Sequence, residues 1–182
     1  MVLFSSRQNE VKFDMTRRAF IREQFDWVDN WTIGLLEKHN EKHWEMIPAL
    51  STSMNWQVGH IIISKYFHAV QSIVEDSNNL MQELCGEFSA EDFFSHYFAG
   101  SDPTAEWENR PKKDRLLRLF VLLNAKTNNL LDSLTDADLD DATCIANPIA
   151  KTKYDALTFC FKHQMWHNGQ IAMISRIQQS EK

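Results

Sequence analysis

Apolar residues recur at the three- and four-residue spacing of α-helices along four long stretches of the chain. The stretches predict helices over residues 16–43, 54–78, 111–134 and 153–178. The sequence contains only five glycines and four prolines, which are too few turn signals for a many-stranded β fold. We therefore expect an all-α protein, a four-helix bundle in which residues 79–110 form a long crossover between the second and third helices.

The crossover and the N-terminus carry the remaining local signals. Ser89-Ala90-Glu91-Asp92 resembles a capping box and predicts a short helix that runs through Tyr97. Residues 1–15 are polar and weakly patterned, so we expect an N-terminal arm there. The chain length suits a single core, which predicts one helical domain over residues 16–182.

Three histidines share the apolar faces of the predicted second and fourth helices. His163 and His167 are four residues apart, so both side chains leave the same face of a helix. His60 is the one polar ring in an otherwise apolar stripe of the second helix. Three imidazoles could bind one divalent ion and leave a further position for water or substrate. Alternatively, each histidine is a hydrogen-bonded core residue, and spacing alone leaves both interpretations open.

A second pair of histidines, His39 and His43, also has a four-residue spacing. Their neighbours from Glu37 to His43 are charged throughout, which is typical of a solvated helix end. Cationic histidines near a helix C-terminus interact favourably with the helix dipole. We therefore expect this pair to be exposed and not to bind a metal ion.

Other residues close to the three histidines have two interpretations each. Cys160, three residues before His163, is either a further metal ligand or a small apolar residue of the core. Trp56 and Trp166 are either core residues or the walls of a pocket over the metal. Gln170 either orients a ligand of the metal or serves helix packing.

Charge and composition narrow the class of protein. The net charge of −6 argues against nucleic-acid binding, which requires a basic surface. The three cysteines show no paired spacing, so we expect reduced thiols rather than disulfides. The N-terminus lacks the apolar core of a signal peptide, and no stretch is long enough to span a membrane. We expect a cytoplasmic protein without nucleic-acid or membrane partners.

Three motifs in these helices resemble the DinB-like (YfiT-like) family of helix bundles. They are Trp56-Gln57-Val58-Gly59-His60, then Leu134-Thr135-Asp136-Ala137-Asp138-Leu139, and finally His163 and His167 followed by Gly169-Gln170-Ile171. Their order and spacing agree with the family, so the resemblance covers about residues 16–178.

The resemblance implies an up-down-down-up four-helix bundle that is often a homodimer. It also implies that His60, His163 and His167 hold a divalent metal ion, for which we expect zinc or nickel. Family members of known activity include thiol-dependent transferases and isomerases that use low-molecular-weight thiols. The first hypothesis is therefore a metal-dependent thiol transferase. The alternatives are a non-catalytic metalloprotein and a metal-free bundle that acts through dimerisation.

Overall fold

The computed structural model of the protein describes residues 15–45, 51–75, 80–86 and 88–180. These residues form α-helices and no β-strand, which confirms the predicted all-α class. The helices are α1 (Arg17–Glu37), α2 (Met54–Tyr66), α3 (Leu80–Cys85), α4 (Ala90–Tyr97), α5 (Lys113–Ser133) and α6 (Lys153–Ser180). A π-helical turn at Phe67–Gln71 continues α2. Within the described parts of the chain, no helix is both long enough and apolar enough to cross a membrane.

Hydroxyl side chains at the N-caps explain where several helices begin. The side chains of Thr16 and Ser53 accept hydrogen bonds from backbone N–H groups in the first turns of α1 and α2. Ser89 caps α4 by accepting from the N–H of Asp92, so the short helix predicted within the crossover is confirmed. Such caps satisfy N–H groups that have no partner within the helix.

The structure differs from the predicted helices in three places. The first helix ends at Glu37 rather than at residue 43, because the chain turns through a short 3₁₀ helix, Glu41–His43, and inserts Trp44 into the core. Helix α3 was not predicted, since it is only six residues long and too short to show a helical apolar period. The second helix ends with the π-helical turn at Gln71 rather than at residue 78, since residues 72–75 are not helical. Nearly all of the predicted N-terminal arm lies outside the described residues.

Helix α1 buries a different face from the one that its largest apolar residues suggest. Phe20 and Trp27 are 43% and 53% exposed, whereas Ile21, Phe25 and Val28 are fully buried. Phe20 and Trp27 are seven residues apart, so they lie on one side of the helix. The helix therefore carries a second, exposed apolar face.

The motif that follows α5 anchors the start of α1. The carboxylate of Asp136 accepts hydrogen bonds from the backbone N–H groups of Arg17 (3.0 Å) and Arg18 (2.9 Å). The guanidinium group of Arg17 also pairs with Asp140 at 2.7 Å. A carboxylate at a helix N-terminus interacts favourably with the helix dipole, so this part of the family motif serves the fold.

A polar layer crosses the core and takes one residue from each of the four long helices. Lys65 of α2 donates from Nζ to Asp29 of α1 and to Asn124 of α5, both at 2.5 Å. Gln164 of α6 donates to the same carboxylate oxygen of Asp29 at 2.9 Å. Lys65 is 1% exposed, and an unpaired buried charge would be costly. The layer therefore restricts how each long helix can rotate about its axis.

Candidate metal centre

Helices α2 and α6 run antiparallel, and their facing side chains meet at three successive levels. The contacts are His60 with His167 (ring centroids 4.8 Å apart), Ser64 with His163 (2.9 Å, Oγ to Nδ1) and His68 with Phe159 (ring centroids 4.7 Å apart). Steps of four residues on both helices place these side chains on facing surfaces. These three contacts, called here the ladder between α2 and α6, include the three histidines of the sequence-based hypothesis.

The three histidines form one compact group of nitrogen atoms. Their ligand atoms all lie within 4.8 Å of one another, and Nε2 of His163 is 3.1 Å from Nε2 of His167. His60 and His167 are buried, whereas His163 is partly exposed. Among the described residues, this is the one cluster of three or more histidine, cysteine or acidic side chains that could hold a metal ion.

Hydrogen bonds at Nδ1 fix how the rings of His60 and His167 are protonated. Nδ1 of His60 lies 2.7 Å from the carbonyl oxygen of Tyr97, and Nδ1 of His167 lies 2.6 Å from Oε1 of Gln57. Both oxygens can only accept, so each Nδ1 carries the proton and donates it. Each Nε2 then presents a lone pair, which is the form of imidazole that binds a metal ion.

The amide of Gln57 faces His167 with its oxygen atom and two further side chains with its nitrogen atom. Its Nε2 donates to Thr52 Oγ1 and to Gln170 Oε1, both at 2.9 Å, so its oxygen faces His167. Gln170 therefore reaches the histidines indirectly, through Gln57. Sequence reasoning overlooked Gln57 and Ser64. Their spacing from His60, three residues before it and four after it, was a signal that could have identified them.

Burial disfavours the charged form of all three histidines. It lowers the pKa of His60. The pKa of His163 is lowered to about 4 and that of His167 to about 3, first by burial and then by neighbouring histidines. Nε2 of His163 lies 3.1 Å from Nε2 of His167, and Nδ1 of His163 lies 2.9 Å from Ser64 Oγ, which can donate or accept. With its proton on Nδ1, His163 presents the lone pair of Nε2 beside that of His167, an arrangement that a shared cation would stabilise.

The separations of the nitrogen atoms fit one metal ion with a small adjustment. Ligand nitrogens at 2.0–2.1 Å from a tetrahedral zinc ion would be about 3.3–3.4 Å apart, close to the 3.1 Å between His163 and His167. The 4.8 Å limit of the group is wider, so the three rings must draw together on binding.

Two tryptophans flank the group in different ways. Trp56 stacks on His60 with ring centroids 4.8 Å apart and planes 6° apart, and its Nε1 donates to Ser101 Oγ at 2.9 Å. Trp166 is 70% exposed, and its ring centroid is 6.3 Å from that of His167. Trp56 is thus a wall of the site, whereas Trp166 is not a core residue.

A close approach between helices positions the hydrogen-bond partner of His60. A Cβ atom at Gly59 would overlap the ring carbons of Tyr97, so only glycine lets α4 come this close to α2. The hydroxyl of Tyr97 also donates to Asn55 Oδ1 at 2.5 Å. These contacts hold the carbonyl group of Tyr97 against His60.

The remaining residues singled out in the sequence lie away from the group. Cys160 is buried in the apolar cluster shared by α1 and α6, and burial raises the pKa of its thiol to about 12. The predicted exposure of His39 is wrong, since this residue is only 7% exposed and its ring lies 6.5 Å from that of Trp44. The turn at Glu41–His43 folds Trp44 over it. Burial also lowers the pKa of His39.

Comparison with known proteins finds one family whose range includes the site. The profile of the DinB superfamily matches residues 23–171. The matched range contains all three histidines and the residues that contact their Nδ1 atoms. None of the curated proteins matches the sequence.

Proposed function

This chain belongs to the DinB superfamily, and we propose that it is a metal-dependent enzyme of the thiol-transferase type. His60, His163 and His167 would hold a divalent ion, zinc or nickel. The observation that carries the proposal is the convergence of three imidazoles, two of which are fixed with Nε2 as the free lone pair. A bound divalent ion would lower the pKa of a low-molecular-weight thiol, so that it reacts as a thiolate at neutral pH.

The incomplete ligand set favours a catalytic site over a structural one. Structural zinc sites are closed by four protein ligands, whereas catalytic sites keep a position for substrate. No fourth histidine, cysteine or acidic side chain joins the group among the described residues. The partial exposure of His163 and the exposed ring of Trp166 give a small thiol access from solvent.

Metal content and thiol reactivity together test the proposal. We expect about one divalent ion per chain in the wild type and loss of the ion in His60→Ala, measured by elemental analysis. His96→Ala is the matched control, because His96 bonds within its own helix and should leave the metal content unchanged. The loaded protein should consume thiols from a panel in the presence of an electrophile.

The outcomes distinguish the functions that remain. Stoichiometric metal without turnover of any thiol would favour the non-catalytic metalloprotein. Absence of metal from the wild type, with unchanged stability after chelation, would favour the metal-free interaction bundle.

We also propose that the protein is a homodimer that covers the exposed apolar face of α1. Phe20 and Trp27 are large and about half exposed on one side of this helix, and Trp31 lies against Trp27 with ring centroids 5.3 Å apart. Light scattering should give twice the chain mass for the wild type and the chain mass for Trp27→Glu. A monomeric wild type would contradict the proposal.

A further inference from the structure

We propose that His68 is a substrate-binding residue of the same centre, which donates a hydrogen bond from Nε2 to a carboxylate or carbonyl oxygen of the substrate. The inference rests on the proposed function, because it concerns the molecule that would occupy the open metal position. It assigns a role to a fourth histidine that the metal group does not include.

The amide of Asn147 determines which nitrogen of His68 carries the proton. Oδ1 of Asn147 accepts hydrogen bonds from the backbone N–H groups of Ile149 (3.0 Å) and Ala150 (3.1 Å). Its Nδ2 therefore points the other way, to Nδ1 of His68 at 3.0 Å and to Oγ of Ser72 at 3.1 Å. An amide nitrogen can only donate, so Nδ1 of His68 accepts and its Nε2 carries the hydrogen.

This protonation is the reverse of that fixed in the metal group. His60 and His167 donate from Nδ1 to carbonyl oxygens and expose the lone pair of Nε2. His68 receives a donor at Nδ1 and presents an N–H group at Nε2. The surrounding hydrogen bonds thus prepare these imidazoles for two tasks: binding a cation, and donating to an oxygen atom.

The Nε2–H group of His68 donates no hydrogen bond within the described structure. The residue is only 6% exposed, and its ring contacts those of Phe67 and Phe159, with centroids at 5.0 and 4.7 Å. Nε2 has no hydrogen-bond partner among the described residues, and it is not fully buried, so it is accessible to solvent. Burial lowers the pKa of His68 to about 4, which leaves a neutral donor at pH 7.

The position of His68 connects this donor to the metal group. Phe159 contacts His68 and also stacks on His163, with the latter centroids 5.3 Å apart. His68 is therefore the next level of the ladder between α2 and α6. It lies in the π-helical turn Phe67–Gln71 that ends the second helix. A small molecule bound at the metal through one end could reach His68 with an oxygen atom.

Spectroscopic titration of the cobalt-loaded protein tests the role in binding. The probes are mercaptoacetate, 3-mercaptopropionate and 4-mercaptobutyrate, followed through the sulfur-to-cobalt absorption band, with ethanethiol as the probe that lacks a carboxylate. A hydrogen bond to a charged group contributes about 1.5–3 kcal/mol. We therefore expect His68→Phe to lower the affinity for the tightest-binding mercaptocarboxylate by about tenfold or more and to leave the affinity for ethanethiol unchanged.

A second variant and a direct measurement exclude a merely structural effect. His68→Gln can present an amide N–H near the place of Nε2 and should retain most of the affinity for the mercaptocarboxylate. Long-range ¹H–¹⁵N spectra of the wild type should show His68 protonated at Nε2 alone. Protonation at Nδ1, or equal affinities of wild type and His68→Phe for every mercaptocarboxylate, would overturn the role of His68. Failure of the wild type to bind cobalt or any thiol would instead overturn the proposed function on which it rests.

Discussion

The ring of Tyr97 lies against the α-carbon of Gly59, while the carbonyl oxygen of Tyr97 accepts a hydrogen bond from His60 Nδ1 at 2.7 Å. One residue of α4 thus contacts two neighbouring positions of α2. The missing side chain at Gly59 permits the approach, and the hydrogen bond at His60 makes use of it. The glycine of the Trp56-Gln57-Val58-Gly59-His60 motif therefore has a physical role beside the histidine.

Gly59→Ala should damage both the fold and the metal site. The added methyl group would displace Tyr97, and overpacking of this kind costs about 1–3 kcal/mol of folding free energy. Loss of the carbonyl partner of His60 should weaken metal binding by about 10–100-fold. Chemical denaturation and metal titration measure the two effects.

Gly34 provides the control for this substitution, because a Cβ there meets no atom within 4 Å. Gly34→Ala should stabilise the protein by about 0.5–1 kcal/mol, the usual gain of alanine over glycine within a helix, and should leave metal affinity unchanged. Equal effects of the two substitutions would contradict the role assigned to Gly59.

Substitutions of Gln57 should show how far metal affinity depends on the oxygen atom that accepts the hydrogen bond of His167. Gln57→Leu removes the oxygen that fixes Nδ1–H of His167, and we expect a loss of about 10–100-fold in metal affinity. Gln57→Glu keeps an acceptor at that place and should lose much less. Competition with a chelating indicator measures both affinities, and the proposed role of Gln57 fails if the leucine variant binds as the wild type does.

Replacing Lys65 alone should destabilise the protein far more than replacing Lys65 and Asp29 together. Both side chains are buried, at 1% and 8% exposed. Lys65→Met alone leaves a buried carboxylate without its cation and should cost about 3–5 kcal/mol. The double variant Lys65→Met with Asp29→Leu should recover most of that loss. Urea denaturation of the wild type, the two single variants and the double variant measures the difference, and additive losses would argue against direct coupling.

The metal-free protein should lose stability in mild acid. The pKa values of His68 and His163, each about 4, and of His167, about 3, lie below the ordinary value of about 6.5. Between pH 6.5 and 4 the unfolded chain binds protons that the folded chain does not, so stability falls as pH decreases. The slope is at most about 1.4 kcal/mol per pH unit for each such group.

Urea denaturation in the presence of a chelator, at pH 7.5 and pH 5, measures this loss. A variant with His163 and His167 replaced by phenylalanine should show a smaller dependence on pH than the wild type. An unchanged dependence would mean that other groups cause the acid sensitivity.

The sequence predicted the helical class and the three histidines because both depend on local spacing. His163 and His167 share a face by helix geometry alone, and His60 stood out in an apolar stripe. The exposed side of α1 and the burial of His39 could not be predicted in this way. Both depend on which neighbouring element covers a face, and Trp44, which covers His39, follows a turn without a strong local signal.

The protonation of the histidines also required the structure. Gln57 and Ser64 lie in the same helix as His60, yet they contact His167 and His163 of α6. The carbonyl partner of His60 comes from α4, and carbonyl groups carry no sequence signal at all. Likewise, the reversed protonation of His68 follows only from the amide of Asn147, 79 residues away.

The polar layer of Asp29, Lys65, Asn124 and Gln164 bears on how the protein would acquire its ion. Gln164 lies beside His163 in the chain, and its hydrogen bond to Asp29 orients α6 without any ligand. Folding therefore need not wait for a metal, in contrast to small zinc domains that are unfolded without it. An already folded chain can load and exchange ions, so the metal that it carries in a cell would follow from supply and ligand preference.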